Sequence, residues 1–324
     1  MTQETLLDAI DPEIATRLAA EQEELDRGAV GRPGVTAALA LGSIPIALAA
    51  LSTQAFGQGL PTNIKNVLDF ALALEIFEDE FYKAVLGVSS SPAQNAAFTV
   101  ARAQAVAVAG VQATLQQISK HETAHVAFLQ AAGATNVFGL SATTFDFTGN
   151  RSSAGGGPFT KATADAGFLL EVAQGAEDTG VRAYKGQAAN LMSSSAILEA
   201  ALRIHSVEAR HASRIRRLRR TLNPTVTQIR LSGTVRGGDA TAAGATDLGT
   251  NAAAVTAAFN RIYGAGANST TAPSESNTTH AGINVASLSG ANFGADAATE
   301  AFDEPLDRAD VVAIVQPFFI PTIS

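Results

Sequence analysis

At 324 residues with 46% hydrophobic content, the chain is long enough for one large domain or two modest ones with a real core. A formal charge of −8 and a pI near 5.2, with only 16% of residues charged, argue against nucleic acid as the main partner. The absence of cysteine excludes disulfides, thiolate metal sites and cysteine nucleophiles.

Residues 1–32 hold a helix candidate, with Asp11 as cap and Pro12 in the first turn. Pro33 to Ile64 then contains no charged residue at all. Its most apolar part, Val35 to Leu51, is near the minimum length for a bilayer span, and Gly42 and Pro45 weaken it as a regular helix. Two readings stand side by side. One is an export signal or membrane anchor behind Arg27 and Arg32; the other is an apolar arm buried in an assembly. The first points to the cell envelope or to export, with membrane contact through residues 33–64, while a chain without cysteine suits the cytoplasm equally. The second expects a homo-oligomer, with Phe318-Phe319-Ile320 as a further subunit contact.

After Pro61 the pattern becomes helical, and four segments each carry an apolar stripe broken by charge. Asn63 to Leu86 presents Leu68, Ala71, Glu75, Glu78, Tyr82 and Val85 on one face. Ser89 to Pro92 ends that helix, and Asn95 to Ala131 reads as one long second helix with Val111, Leu115, Ile118, Glu122, His125 and Leu129 in line. Gly133 stops it. About thirty Gly-rich residues follow, too many for a tight turn. The third helix, near Lys161 to Met192, aligns Leu170, Ala173, Glu177, Val181, Tyr184, Ala188 and Leu191. The fourth, Ala196 to Leu222, aligns Ala201, Ile204, Glu208, His211, Ile215, Leu218 and Leu222. Short, long, short connections describe a mainly α four-helix bundle with one long crossover, over residues 63–222. An N-terminal unit at 1–62 precedes it, and a largely irregular extension with little β follows at 223–324.

A carboxylate in an apolar stripe is a conflict, because burying an unpaired charge is costly. Here the conflict occurs four times in register. Glu75, Glu122, Glu177 and Glu208 interrupt the stripes, and His125 and His211 each follow a glutamate by three residues, on the same helical face. Four carboxylates balance two divalent cations, and oxygen-rich ligation with imidazole suits iron or manganese. Tyr82 and Tyr184 each follow a stripe glutamate by seven residues, two turns on, so a ligating carboxylate can hold each buried hydroxyl.

The segments DFALALEIFEDEFY, ISKHETAHVAFL, EVAQGAEDTGVRAYKG and HSVEARHASRIRRL resemble the helices of the ferritin-like superfamily, and more narrowly the bacterial ferritin-like proteins akin to desiccation-related proteins. A weaker likeness continues at FNRIYGAGANSTT and AFDEPLDRADVVAIVQPFF. The resemblance implies two iron ions, manganese being the alternative. Glu75 and Glu177 would be terminal ligands, Glu122 and Glu208 would bridge, and His125 and His211 would take one ion each, with Tyr82 and Tyr184 behind them. It further implies Fe(II) oxidation by O2 or peroxide, in a stress-related role. Relatives often carry an Arg-Arg pair before the apolar stretch, where this chain has only the separate Arg27 and Arg32. The competing function is a structural or assembly protein that keeps the fold without turnover.

Other polar groups are set aside. Glu78 shares the Glu75 face as an alternative ligand; Glu171 is expected in solvent or a polar contact; His121 and His205 lie off the stripes, behind the ligands or at the surface. The arginines of the fourth helix, Arg203 to Arg220, are expected to favour its C-terminus and to pair with acidic neighbours. Beyond residue 222, Thr225 to Val235 alternates as one strand and Leu306 to Gln316 reads as a helix.

Overall fold

The computed structural model describes residues 60–222, 249–263, 274–288, 298–299 and 301–323. The expected N-terminal helix, most of the apolar arm and the strand at 225–235 lie outside these residues. Helix α1 (Thr62–Leu86) is followed by the short α2 (Pro92–Ala97) and α3 (Thr99–Val106), then α4 (Val111–Ala131), α5 (Ala166–Gln187) and α6 (Ser195–Leu222). Beyond the bundle come α7 (Ala252–Tyr263) and α8 (Arg308–Val315). A two-residue hairpin of β1 (Thr279–His280) and β2 (Ile283–Asn284) is the sheet structure among the described residues, apart from one isolated bridge. The described residues are mainly helical, as the stripes require, and those of the extension form short helices and the hairpin joined by irregular segments.

α1 packs along α4 and α5 along α6, and the two pairs close on each other to form the bundle. Local chemistry sets the ends. Gly87 adopts φ 80° and terminates α1 with its N–H on the carbonyl of Ala84. Asp165 caps α5 by accepting from the N–H of Phe168 at 2.7 Å. The second predicted helix is not continuous. Its chain breaks at Phe98 and again between Val106 and Val111, where Gly110 takes φ 83° as the residue before α4. An Ala/Val-rich run carries no polar face to reveal the break, and Gly110 was the one available stop signal. The third helix is shorter than expected, with 3₁₀ turns at Thr160–Thr163 and Ala188–Leu191 flanking it.

α5 is buried nearly all round, because the bundle covers one side and the C-terminal extension the other. Arg182, 1% exposed, ties three separate pieces of the extension to α5. Its guanidinium donates to the carbonyls of Glu304 (2.7 Å) and Ile262, and pairs with Glu275 at 3.2 Å. At Gly186 the backbone of Leu306 lies directly on the helix, where any Cβ would overlap it. Asp178 accepts from Arg216 (2.5 and 2.6 Å) and from the Tyr263 hydroxyl (2.6 Å), while Arg219 approaches Glu171 at 3.9 Å. These pairings are the ones expected for the α6 arginines and for Glu171.

α7 is a helix that the sequence reading does not include, and Val255, Phe259 and Ile262 are spaced as its one buried face. The expected subunit contact at Phe318-Phe319-Ile320 is corrected here. Phe318 and Phe319 are buried inside this chain, with ring centroids 5.6 and 5.4 Å from Phe77. No helix among the described residues is long and apolar enough to cross a membrane.

Candidate metal centre

The stripes bring Glu75 from α1, Glu122 and His125 from α4, Glu177 from α5, and Glu208 and His211 from α6 to the middle of the bundle. The four glutamates are 0% exposed, His125 7% and His211 4%, so all six are shut away from bulk water. Each imidazole Nδ1 sits where three carboxylates converge. His125 Nδ1 lies 3.1 Å from Glu75, 3.1 Å from Glu122 and 3.2 Å from Glu208. His211 Nδ1 lies 2.9 Å from Glu122, 3.1 Å from Glu177 and 3.7 Å from Glu208.

Two sets of side chains can therefore hold a metal ion: Glu75, Glu122, His125 and Glu208, and Glu122, Glu177, Glu208 and His211. Glu122 and Glu208 belong to both. Glu75 with His125, and Glu177 with His211, belong to one set each.

The electrostatics of the protein groups alone point the same way. Burial pushes the Glu75 carboxyl up to about 8, with His125 opposing. Burial likewise raises Glu177, against the pull of His211. Burial would lower the His211 imidazole, but Glu177, Glu122 and Glu208 reverse this and push it up to about 12. His125 is raised well above its usual value, its burial outweighed by Glu75, Glu122 and Glu208. Glu208 is held below the usual carboxylate range despite burial, through its contacts with His125 and His211. Two imidazolium rings thus stand in for two cations. They do so imperfectly: Glu122 Oε1 and both oxygens of Glu208 are buried without a hydrogen-bond partner. Each ring has one Nδ1–H for the three carboxylates around it, so these atoms, all on the two shared glutamates, are left with ion-pair contacts and no hydrogen bond. The donor set, all oxygen and imidazole nitrogen, fits hard or borderline divalent ions such as iron and manganese.

The tyrosines are held differently from the same-helix pairing that the spacing suggested. Tyr82 donates to Glu177 and Tyr184 donates to Glu75, so each bridges between α1 and α5. Seven residues along one helix span about 10 Å, too far for direct contact, whereas antiparallel neighbours bring the crossed pairs level. Each hydroxyl fixes one oxygen of a carboxylate that occurs in only one of the two sets.

Two further groups reach this volume. His121 Nδ1 lies 2.9 Å from His211 Nε2, with the rings stacked at 5.1 Å, and Gln117 contacts its other nitrogen at 2.7 Å. Burial and the neighbouring His211 hold His121 below its usual value. Its placement four residues before His125, on the same face, was the available signal. Glu78, 4% exposed, is raised well above the ordinary range by burial and then by Glu208, Glu177, Glu122 and Glu75. It faces the centre without belonging to either set of four. At Gly180 a Cβ would stand 3.5 Å from Glu78 Oε1 and 3.6 Å from Glu208 Oε2, so a larger residue would take the room those carboxylates use. His205 turns away, its Nδ1 2.9 Å from the Val181 carbonyl.

The family model of the ferritin-like domain matches residues 64–221, the span of this bundle. These residues form a ferritin-like domain. No curated protein and no solved structure matches the chain. The ferritin-like domain of this chain thus encloses a buried carboxylate and histidine cluster that could bind metal.

Proposed function

We propose that the ferritin-like domain is a di-iron carboxylate centre that oxidises Fe(II) with O2 or peroxide, in a stress-related role like that suggested by its resemblance to desiccation-related proteins. The observation that carries this reading is the sharing of Glu122 and Glu208 between two overlapping sets of ligands. A single-ion site has no use for that arrangement; a two-ion site needs it. Iron bound there supplies the redox step, two Fe(II) giving one electron each while O2 with two protons leaves as H2O2, or peroxide with two protons as two waters. Manganese suits the same donors.

The chain's own contribution is binding, orientation and exclusion of water. Glu75 and Glu177 are each braced by a tyrosine from the opposite helix, which limits the carboxylate rotamers open to them. His125 and His211 must release the proton from Nδ1 before that nitrogen can ligate, so loading the site expels protons. Buried apolar residues one turn to either side, Ile118 before Glu122 and Leu129 after His125 on α4, help keep the cluster dry.

The functional test is metal content in protein purified without added metal, followed by anaerobic Fe(II) loading and exposure to O2 or peroxide. Two ions per chain and oxidation faster than that of free Fe(II) are expected. Binding without faster oxidation would leave a ferritin-like scaffold. The second expected outcome concerns the tyrosines: Tyr82→Phe and Tyr184→Phe should each keep two ions but bind them more weakly, by about 10–100-fold, and slow oxidation. Equal affinity in wild type and both variants would remove the bracing role. A homo-oligomer assembled through residues 33–64 completes the proposal.

A further inference from the structure

A small apolar cavity lies at one end of the ligand layer. Its volume is about 30 Å³, and its wall includes Leu74, Phe128, Leu129, Ala201, Ile204 and Tyr184. A single water-sized sphere needs about 10–15 Å³ on this scale, so there is room for a diatomic molecule and little more. The wall residues are neighbours of the ligands in sequence. Leu74 precedes Glu75, Phe128 and Leu129 follow His125 by about one turn, and Ile204 precedes Glu208 by about one turn. One turn is about 5 Å of helix, and the antiparallel helices bring all of these to the same end of the centre. Tyr184 forms part of the wall and donates its hydroxyl to Glu75, so it is the partition between cavity and ligands. Half-buried Val67, Ala71 and Gln187 mark where the wall meets the surface.

We propose that this cavity is a dioxygen-binding site that serves the metal centre. The inference rests on the two-metal reading above and narrows its oxidant. A water or a peroxide molecule needs two to four polar partners, and without them it gives up hydrogen bonds worth several kcal/mol. The wall offers only Gln187 at its rim and Tyr184, whose proton is already directed at Glu75. Dioxygen has no such requirement, and dry apolar cavities take up apolar gases readily. The route through this end of the bundle therefore favours O2 over peroxide.

Xenon is the probe, used on the full-length chain by xenon NMR or in pressurised crystals. Xenon should occupy the cavity of the wild type, and Ala201→Val and Ala71→Leu, which fill it from the floor and from the rim, should each exclude it. The same variants should raise KM for O2 several-fold, while leaving metal stoichiometry and the rate with peroxide unchanged. Ala258→Leu is the control. It narrows a second apolar cavity between α5, α7 and α8 that touches none of the six cluster residues, and should leave KM for O2 unaltered. A wild-type cavity that stays empty under xenon would overturn the proposal, as would filling variants that slow O2 and peroxide equally. If the wild type binds two metals and only these cavity results fail, the two-metal reading survives. If it binds no metal, both fall, even with xenon in place.

Discussion

Glu122→Ala should bind no more than one metal ion and should oxidise Fe(II) no faster than buffer, while still folding as a helical bundle. Glu122 lies in both sets of ligands, so its loss takes an oxygen donor from each. Glu208→Ala should behave alike for the same reason. Glu75→Ala is the informative contrast. It strips one set only, leaving Glu122, Glu177, Glu208 and His211 intact, and should retain one ion. The affinity lost with either shared glutamate should exceed the ~10–100-fold typical of residues that only orient a ligand. Folding is expected to survive: Glu122 gives up its contacts with His125 and His211, but each ring keeps two other glutamates beside it, and the buried cluster loses one carboxylate whose burial is costly. Metal content by elemental analysis, with circular dichroism as the fold control, decides the point. Two ions retained in Glu122→Ala, or an ion held more tightly in Glu122→Ala than in Glu75→Ala, would remove the shared-ligand reading.

What the sequence made legible, and what it did not, follows from the range of the interactions. Each Glu-x-x-His pair is a local fact of one helix, since residues three apart face the same way whatever the helix packs against. The four interrupted stripes then specify one buried layer, and the structure brings all six residues to it. The tyrosine pairing needed the register between α1 and α5, which no single-helix pattern contains, so the crossed bonds to Glu177 and Glu75 were out of reach. The burial of Phe318 and Phe319 within the chain is not legible in the metal-facing stripe of α1, because they pack on a different face of that helix. Phe70, Phe77 and Phe81 make other faces of that helix apolar as well, and the C-terminal segment covers part of that surface through Phe77. α7 gives a weak sequence signal because most of its half-buried and exposed positions are alanine, so the spacing of Val255, Phe259 and Ile262 stands against little polar contrast.

The pH dependence of stability should have opposite signs in the metal-free and metal-loaded protein. In the metal-free chain Glu75 is raised from 4.5 to about 8 and His211 from 6.5 to about 12. A group raised on folding binds its proton more tightly in the native state. Its stabilisation is complete below the unfolded value and drains away as pH climbs through the folded one. For Glu75 that window is 4.5 to about 8, and for His211 it is 6.5 to about 12, so the two overlap between pH 6.5 and 8. Glu208 is depressed and works in the other direction, but its loss falls below 4.5, outside the overlap. The metal-free protein should therefore become less stable from pH 6.5 to 8, by roughly 1 kcal/mol per unit for each titrating group. Metal reverses the sign. Divalent ions compete with protons for the same Nδ1 and carboxylate oxygens, so affinity rises with pH, and with it the stabilisation that ligand binding gives the folded state. Thermal melts at pH 6.5, 7 and 8, with and without Mn(II), should show a metal-free Tm that falls and a gap to the loaded protein that widens. A metal-free Tm that rises across this range, or a gap that stays constant, would mean that the two histidines and Glu75 do not hold protons where two cations belong.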